Sequence, residues 1–364
     1  MNTNLDNIQD NFIHRKSTNT IKGVALIFMF IHHLFTFPEW YVDGISYPYL
    51  LGFANVFQSP LRICVPIFAF LTGYFYFFTK KKNYSYSLKK CTDVWVNYFF
   101  TFIIFLITAI LLKTYDFSFI KLIFECFGLY TPTMIFGWYI AFYFFAMLIL
   151  PLYSKASEKN ALITFFLMLV FSVILSPIFD KIVFEKVNII STLMEDMCWF
   201  PCVAIGYVFA QHKLFFSISK TVKTKYTALN VLISCGFMIV PFLARYFTPQ
   251  YILDRDLFTK VAFSFYDFVY APLFIYGLIS ITKLIKNKKI LFPISMIGKY
   301  SLSMWFIHCI FFNTCKEYTQ WFLYLPKNPI LVVLWGLFIC LVASYIIMIP
   351  INYLNKIKNK LIKW

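Results

Sequence analysis

Charge is in short supply in this chain. Only 13% of its 364 residues are Asp, Glu, Lys or Arg, about half the share usual in a soluble domain. Glycine appears 11 times and histidine five times. The nine cysteines (Cys64, Cys91, Cys126, Cys198, Cys202, Cys235, Cys309, Cys315 and Cys340) contain no CxxC pair. That removes zinc ribbons and thioredoxin-like motifs, and no metal site is expected. Most of the cysteines lie in apolar runs and read as small hydrophobes, not as a disulfide framework. No connection between apolar runs exceeds about 25 residues, which leaves no room for an appended soluble domain. Repeats of 20–50 residues are missing. So is an inverted pair of Gly/Pro-broken segments that would argue for a transporter.

What fills the chain instead is apolar side chain. Hydrophobic residues make up 60%, with 47 phenylalanines, against about 45–50% in soluble domains. A disordered chain, a secreted disulfide scaffold and a cytosolic enzyme are all excluded. The expected class is an all-α, polytopic integral membrane protein. Ten apolar stretches approach the roughly 20 residues a spanning helix needs: 21–37, 55–78, 93–112, 136–152, 161–179, 197–210, 226–246, 260–282, 300–315 and 329–352. Two are short. The stretch 197–210 also carries Pro201, and 300–315 follows a lysine.

Charge sets the orientation. With the N-terminus inside, the inner connections hold 23 of the 33 Lys and Arg residues and the outer ones 9. Of the 16 acidic residues, three fall inside and eleven outside. This is the positive-inside pattern for about ten helices with both termini cytoplasmic. Deleting the short sixth span would put the lysine-rich stretch 211–225 outside, so that span is kept. The net charge of +17 therefore reflects topology, and no nucleic-acid partner is expected. The first span has a basic flank but is followed by Phe37-Pro38-Glu39-Trp40 with no small-residue cleavage site, and reads as an uncleaved anchor. The expected division is a cytoplasmic segment 1–20, a transmembrane domain 21–354 and a basic tail 355–364.

Ionisable residues inside spans are expensive and mark functional candidates. Here they are Lys22, His32, His33, Arg62, Asp93, Asp267 and His308. Lys22 and His33 are eleven residues apart, about three turns, so they share a helix face, with His33 about 16 Å above Lys22. Lys22 alone also reads as a snorkelling helix anchor. His32 lies about 80° off that face. His308 is expected at a matching depth, about 14 Å from Lys299. Arg62 either holds an anionic substrate group or pairs with Glu39, Asp43 or Asp267. Trp138 and Tyr139 read either as an interfacial aromatic belt or as a stacking surface for a sugar ring. Asp93 and Asn97 lie one turn apart at the start of the third span.

Three stretches in order resemble the membrane-bound acyltransferase-3 family. Residues 21–35 (IKGVALIFMFIHHLF) resemble its first helix, a basic residue and glycine followed by a histidine eleven residues after the basic one. Residues 65–75 (VPIFAFLTGYF) resemble its second-helix pattern at Pro66, Phe68, Gly73 and Phe75. Residues 297–308 (IGKYSLSMWFIH) resemble its late-helix pattern at Gly298, Ser301, Trp305 and His308. The order, the helix count and the length extend the resemblance over essentially the whole chain. There are departures: Lys22 stands for the commoner arginine, which leaves a point charge in place of a bidentate phosphate grip, and Thr72 stands for serine.

The resemblance implies an enzyme of a bacterial plasma (inner) membrane. It would take an acetyl group from cytosolic acetyl-CoA to a hydroxyl of a cell-envelope or extracellular polysaccharide, or of its lipid-linked precursor. It also implies that His33 is the essential histidine and Lys22 its basic partner. Succinyl or another short acyl donor is also compatible, since nothing in the sequence measures acyl-chain length. His33 serves acyl transfer as base or as nucleophile. Lys22 with Lys80, Lys81 and Lys82 would meet the coenzyme phosphates. Arg62, Trp138 and Tyr139 would face the acceptor, with His32, Asp267 and His308 as further acceptor-side or structural groups. Lacking the extracytoplasmic hydrolase-like domain of some relatives, the chain would act alone, with a polysaccharide-synthesis partner, or as a homo-oligomer. Two rivals use the same intramembrane polar residues: an exporter of a glycan or lipid-linked sugar, and a non-catalytic subunit of a synthase complex.

Overall fold

The computed structural model describes residues 12–35, 37, 41–42, 45, 56, 60–172, 197–251, 257–312 and 315–362. Among them there are helices, turns and bends but no strand. In chain order the α-helices are α1 (Arg15–Phe35), α2 (Cys64–Phe77), α3 (Tyr84–Leu111), α4 (Phe119–Glu125), α5 (Trp138–Lys159), α6 (Ala161–Val170), α7 (Phe200–Gln211), α8 (Leu214–Val222), α9 (Thr227–Tyr251), α10 (Leu257–Leu284), α11 (Phe292–Lys299), α12 (Ser301–Ile307), α13 (Lys316–Leu323) and α14 (Pro329–Leu361).

Each of the ten apolar stretches meets a helix, but not each helix is a full span. Among the described residues six are long and apolar enough to cross a membrane, or up to eight if each of two bent pairs is one span. Those pairs are α7–α8, bent by 71°, and Lys288–Lys299 with Ser301–Phe311, bent by 59°. So the short stretch 300–315 gains length from the amphipathic helix before it. The α7–α8 bend falls at Lys213, whose backbone is left-handed (φ 52°). Helices α2 and α6 are 14 and 10 residues long, below the length of a full span. Pro201 does not break its helix. It sits in the first turn of α7, where a missing N–H goes unused. Side chains of Asn83, Asn160 and Asn328 accept hydrogen bonds from first-turn N–H groups and start α3, α6 and α14.

Three glycines singled out in the sequence are helix-crossing points. A methyl group on Gly23 of α1 would collide with the carbonyl of Ile294, and one on Gly298 of α11 with the carbonyl of Asn19. The other crossing is reciprocal too, with Gly73 of α2 against Val203 and Gly206 of α7 against Phe70. Small residues let helix backbones touch in a membrane, where lipid provides no hydrophobic push. Helix α1 and the bent pair α11–α12 run parallel in one constant register. Thr20 meets Ser295 at 3.0 Å, Gly23 meets Gly298 and His33 meets His308 at 2.8 Å. The pairing offset is the same 275 residues at both side-chain contacts.

Buried polar groups stitch other helices. Arg245 of α9 ion-pairs with Asp267 of α10, both buried. The expected outer connection 245–260 therefore begins with a residue that is inside the bundle. Asp267 takes Arg245 as its partner, while Glu39 and Asp43 lie outside the described residues. Asp93 of α3 pairs with Lys358 of α14 and with Lys90. Asn97 donates to Ser303 at 2.8 Å. The pair expected at the start of the third span thus ties α3 to α14 and α12. All nine cysteines are free, and none is exposed.

Candidate functional site

His33 lies in the last turn of α1, and His308 opens the turn that continues α12. The parallel register brings them together. His33 Nδ1 and His308 Nε2 are 2.8 Å apart. The ring centroids are 5.0 Å apart and the planes differ by 6°. A short N···N contact, that separation and parallel planes place the imidazoles side by side in one plane. Phe136 covers both, 3.8 Å from His33 and 4.6 Å from His308, again nearly parallel. Its carbonyl accepts from the Trp305 indole N–H at 3.0 Å, and Trp305 is one turn before His308. His308 is fully buried, while His33 keeps 9% of its surface exposed.

The other ring nitrogen of His308, Nδ1, makes no well-formed hydrogen bond. The contact has two tautomeric forms: with the proton of His308 on Nδ1, its Nε2 accepts from His33 Nδ1–H and the basic lone pair of His33 is on Nε2. A second residue selecting a histidine tautomer is a recurrent device in acid–base sites.

On the side of the N-terminal half of α1 lies a cavity of about 360 Å³. Lys22 and Lys90 both line it, together with Thr72, Tyr76, Tyr139 and Trp305. Helices α1, α2, α3, α5 and α12 contribute walls, so the three family-like stretches all reach it. Trp305 lines the cavity and also fixes Phe136 over the histidine pair. Cavity and pair thus share one turn of helix. Lys22 faces the cavity about 16 Å along α1 from His33.

The remaining candidates fall out as follows. Lys80 and Lys81 are exposed and Lys82 rests on the rings of Phe77 and Tyr207. None of the three lines the cavity; Lys90, not singled out in the sequence, does. Tyr139, expected on the acceptor side, lines the same cavity as Lys22, its ring 4.9 Å from that of Trp305. Trp138 stacks on Trp199 at 5.1 Å. His32 is buried and meets Phe37 edge-on. Arg62 is exposed at the start of α2. Among the described residues no group of three His, Cys, Asp or Glu side chains is placed to hold a metal.

Sequence reasoning missed Lys90, Arg245, Phe136 and Glu125. Glu125 ends α4 and is almost fully buried. It accepts from the Thr133 hydroxyl at 2.9 Å, while its backbone carbonyl accepts from Tyr98. Burial pushes its carboxyl up to about 6. These bonds hold down the segment that delivers Phe136 to the histidines.

A family model described as an acyltransferase domain matches residues 15–349. No match was found among curated proteins or among solved structures. The match spans every helix that builds the cavity and the histidine pair.

Proposed function

The chain belongs to this acyltransferase family and is a membrane acyltransferase, and from that premise we propose that it moves an acetyl group from cytosolic acetyl-CoA to a hydroxyl of a cell-envelope polysaccharide or of its lipid-linked precursor. The observation that carries the reading is the hydrogen-bonded pair His33–His308 one helix turn from a cavity that holds Lys22 and Lys90. With the N-terminus taken as cytosolic from the charge pattern, the Lys22 end of the cavity faces the cytosol and the histidine pair lies toward the other face.

In this reading Lys22 and Lys90 hold anionic groups of the donor at the cavity mouth. Their distance from His33 assigns them to phosphates and not to the reacting carbonyl. The thioester lies past Tyr139 and Trp305. The acceptor hydroxyl, approaching from the side of His32 and Arg62, gives its proton to His33 Nε2 as its oxygen attacks the thioester carbonyl. The C–S bond breaks, and the thiolate takes the proton back from the imidazolium. His308 holds His33 in the required tautomer throughout. Lys80, Lys81 and Lys82 remain near the donor entrance without touching the cavity. No metal is required.

The test compares glycan from cells carrying wild-type protein, His33→Ala protein or none. Proton NMR reads O-acetyl signals and their loss under mild base. Signals present only with wild type support the reading. Signals retained with His33→Ala overturn the role of His33. Glycan that is unmodified in all three strains while its export changes overturns the transferase reading of the acceptor.

A further inference from the structure

A second cavity, of about 240 Å³, opens where the end of α8, the start of α9 and the end of α10 meet. It shares no residue with the cavity beside the histidines. Ser219, Ser234 and Ser280 line it together with Asn230, Lys223 and Lys283. Two lysines therefore border one small space. Neither ion-pairs with a carboxylate among the described residues. The chain does not need Lys283 to finish its helix, because Lys288 donates to the Thr282 carbonyl at 2.6 Å. Instead Lys283 Nζ sits 3.7 Å from the centroid of the Phe12 ring. That ring is stacked on Tyr276 at 5.9 Å, and both line the cavity.

Two like charges held together by the fold attract an anion. Ser219 and Ser280 add hydroxyls beside them, which suits an oxyanion with acceptor oxygens such as a phosphodiester, while the Ser234 hydroxyl donates to the Asn230 carbonyl. Both lysines belong to lysine-rich connections of the bundle, the level at which basic pockets between helices meet lipid headgroups. One wall, α9, turns its outer side to lipid: Leu229, Leu232, Ile239 and Val240 are exposed. A ligand with its phosphate at Lys223 and Lys283 has a continuous apolar surface for its tails. We propose that this cavity binds the phosphodiester headgroup of an anionic glycerophospholipid of the cytosolic leaflet, with the acyl chains along α9. The inference does not depend on which acyl group or acceptor the chain uses.

The experiment uses the full chain in phosphatidylcholine nanodiscs containing a few per cent phosphatidylglycerol, with retained lipid counted by native mass spectrometry. Wild type is expected to retain phosphatidylglycerol over phosphatidylcholine. The double variant Lys223→Gln/Lys283→Gln should retain it about 30-fold less well, from roughly a factor of five per lysine. Lys286→Gln/Lys289→Gln, with the same change in charge, should stay within about twofold of wild type. Ser219→Trp fills the space without touching charge and should also lose the lipid. Equal retention by the Lys223/Lys283 variant and its control overturns the proposal, as does undiminished retention by Ser219→Trp. Displacement of the lipid by millimolar inorganic phosphate or coenzyme A would make free phosphate the ligand and overturn the lipid assignment.

Discussion

In the proposed acyl-CoA mechanism, replacing His308 by alanine removes the acceptor for His33 Nδ1–H and frees the His33 ring to change tautomer. The expected result is a fall in kcat of about 10²–10³ with the KM for acyl-CoA unchanged, since no cavity residue is touched. His308→Gln, whose amide oxygen can accept the same bond, should recover part of the rate. Thiol release from acetyl-CoA in nanodiscs measures both, and an unchanged kcat in His308→Ala would remove the tautomer role. Glu125 gives a pH signature. Its carboxyl is pushed up to about 6 by burial, above its unfolded value of about 4.3. Between those values the unfolded chain has lost the proton that the folded chain keeps, so this group makes stability fall as pH rises through the window. Thermal melts from pH 4 to pH 7.5 should show that slope in wild type and lack it in Glu125→Gln. At this scale the sequence was legible where an ionisable side chain interrupted an apolar run, which is why His33, His308 and Lys22 stood out. Lys90 and Phe136 did not, because a lysine near a helix start and one phenylalanine among 47 carry no local signal. Only tertiary contact distinguishes them.

Helices meet at points where a single atom decides. Gly73→Ala and Gly298→Ala each put a methyl group against a neighbouring backbone carbonyl, which cannot rotate aside. Each should cost about 1–3 kcal/mol. Gly236→Ala meets nothing within 4 Å and should gain about 0.5–1 kcal/mol from helix propensity. Melting of the purified variants in detergent checks the contrast, and equal effects at Gly73 and Gly236 would deny the crossing. The buried Arg245–Asp267 pair makes a different prediction. Asp267→Asn strands a buried charge and should cost about 3–5 kcal/mol, whereas Arg245→Leu/Asp267→Leu should regain most of it. Each of the ten apolar stretches holds a helix, though only six to eight candidate spans result among the described residues, and α4, α8, α11 and α13 lie outside those stretches. Helix ends were not readable from composition. Helix α1 begins at Arg15 and not near residue 21, and α14 runs on to Leu361 through the expected tail. Polar residues continue a helix once its apolar face is packed, and hydropathy cannot register that. The bends of 71° and 59° are likewise tertiary, set by crossings and by one left-handed residue.

Across the whole molecule, the parallel pairing of α1 with α11–α12 constrains topology. If both rise through the membrane in the same sense, the chain between them crosses an odd number of times. Among the described residues the helices able to cross between them are α3, α5, the bent pair α7–α8, α9 and α10, an odd five; dropping the pair that carries Pro201 would leave four. Both termini are then expected on the cytosolic side. A fluorescent protein fused after Trp364 should fluoresce, and alkaline phosphatase fused there should be inactive; the reverse would invert the orientation. The same pairing has a further consequence for how this sequence can vary in length. Gly23 and His33 are ten positions apart, and so are Gly298 and His308. The two intervals act as rulers laid against each other, pinned by touching backbones at one end and by the imidazole pair at the other. One residue inserted in either interval turns its histidine by about 100° and shifts it by about 1.5 Å, and no substitution nearby restores the contact. Neither interval is free to change length without the other, although 264 residues of chain lie between His33 and Gly298.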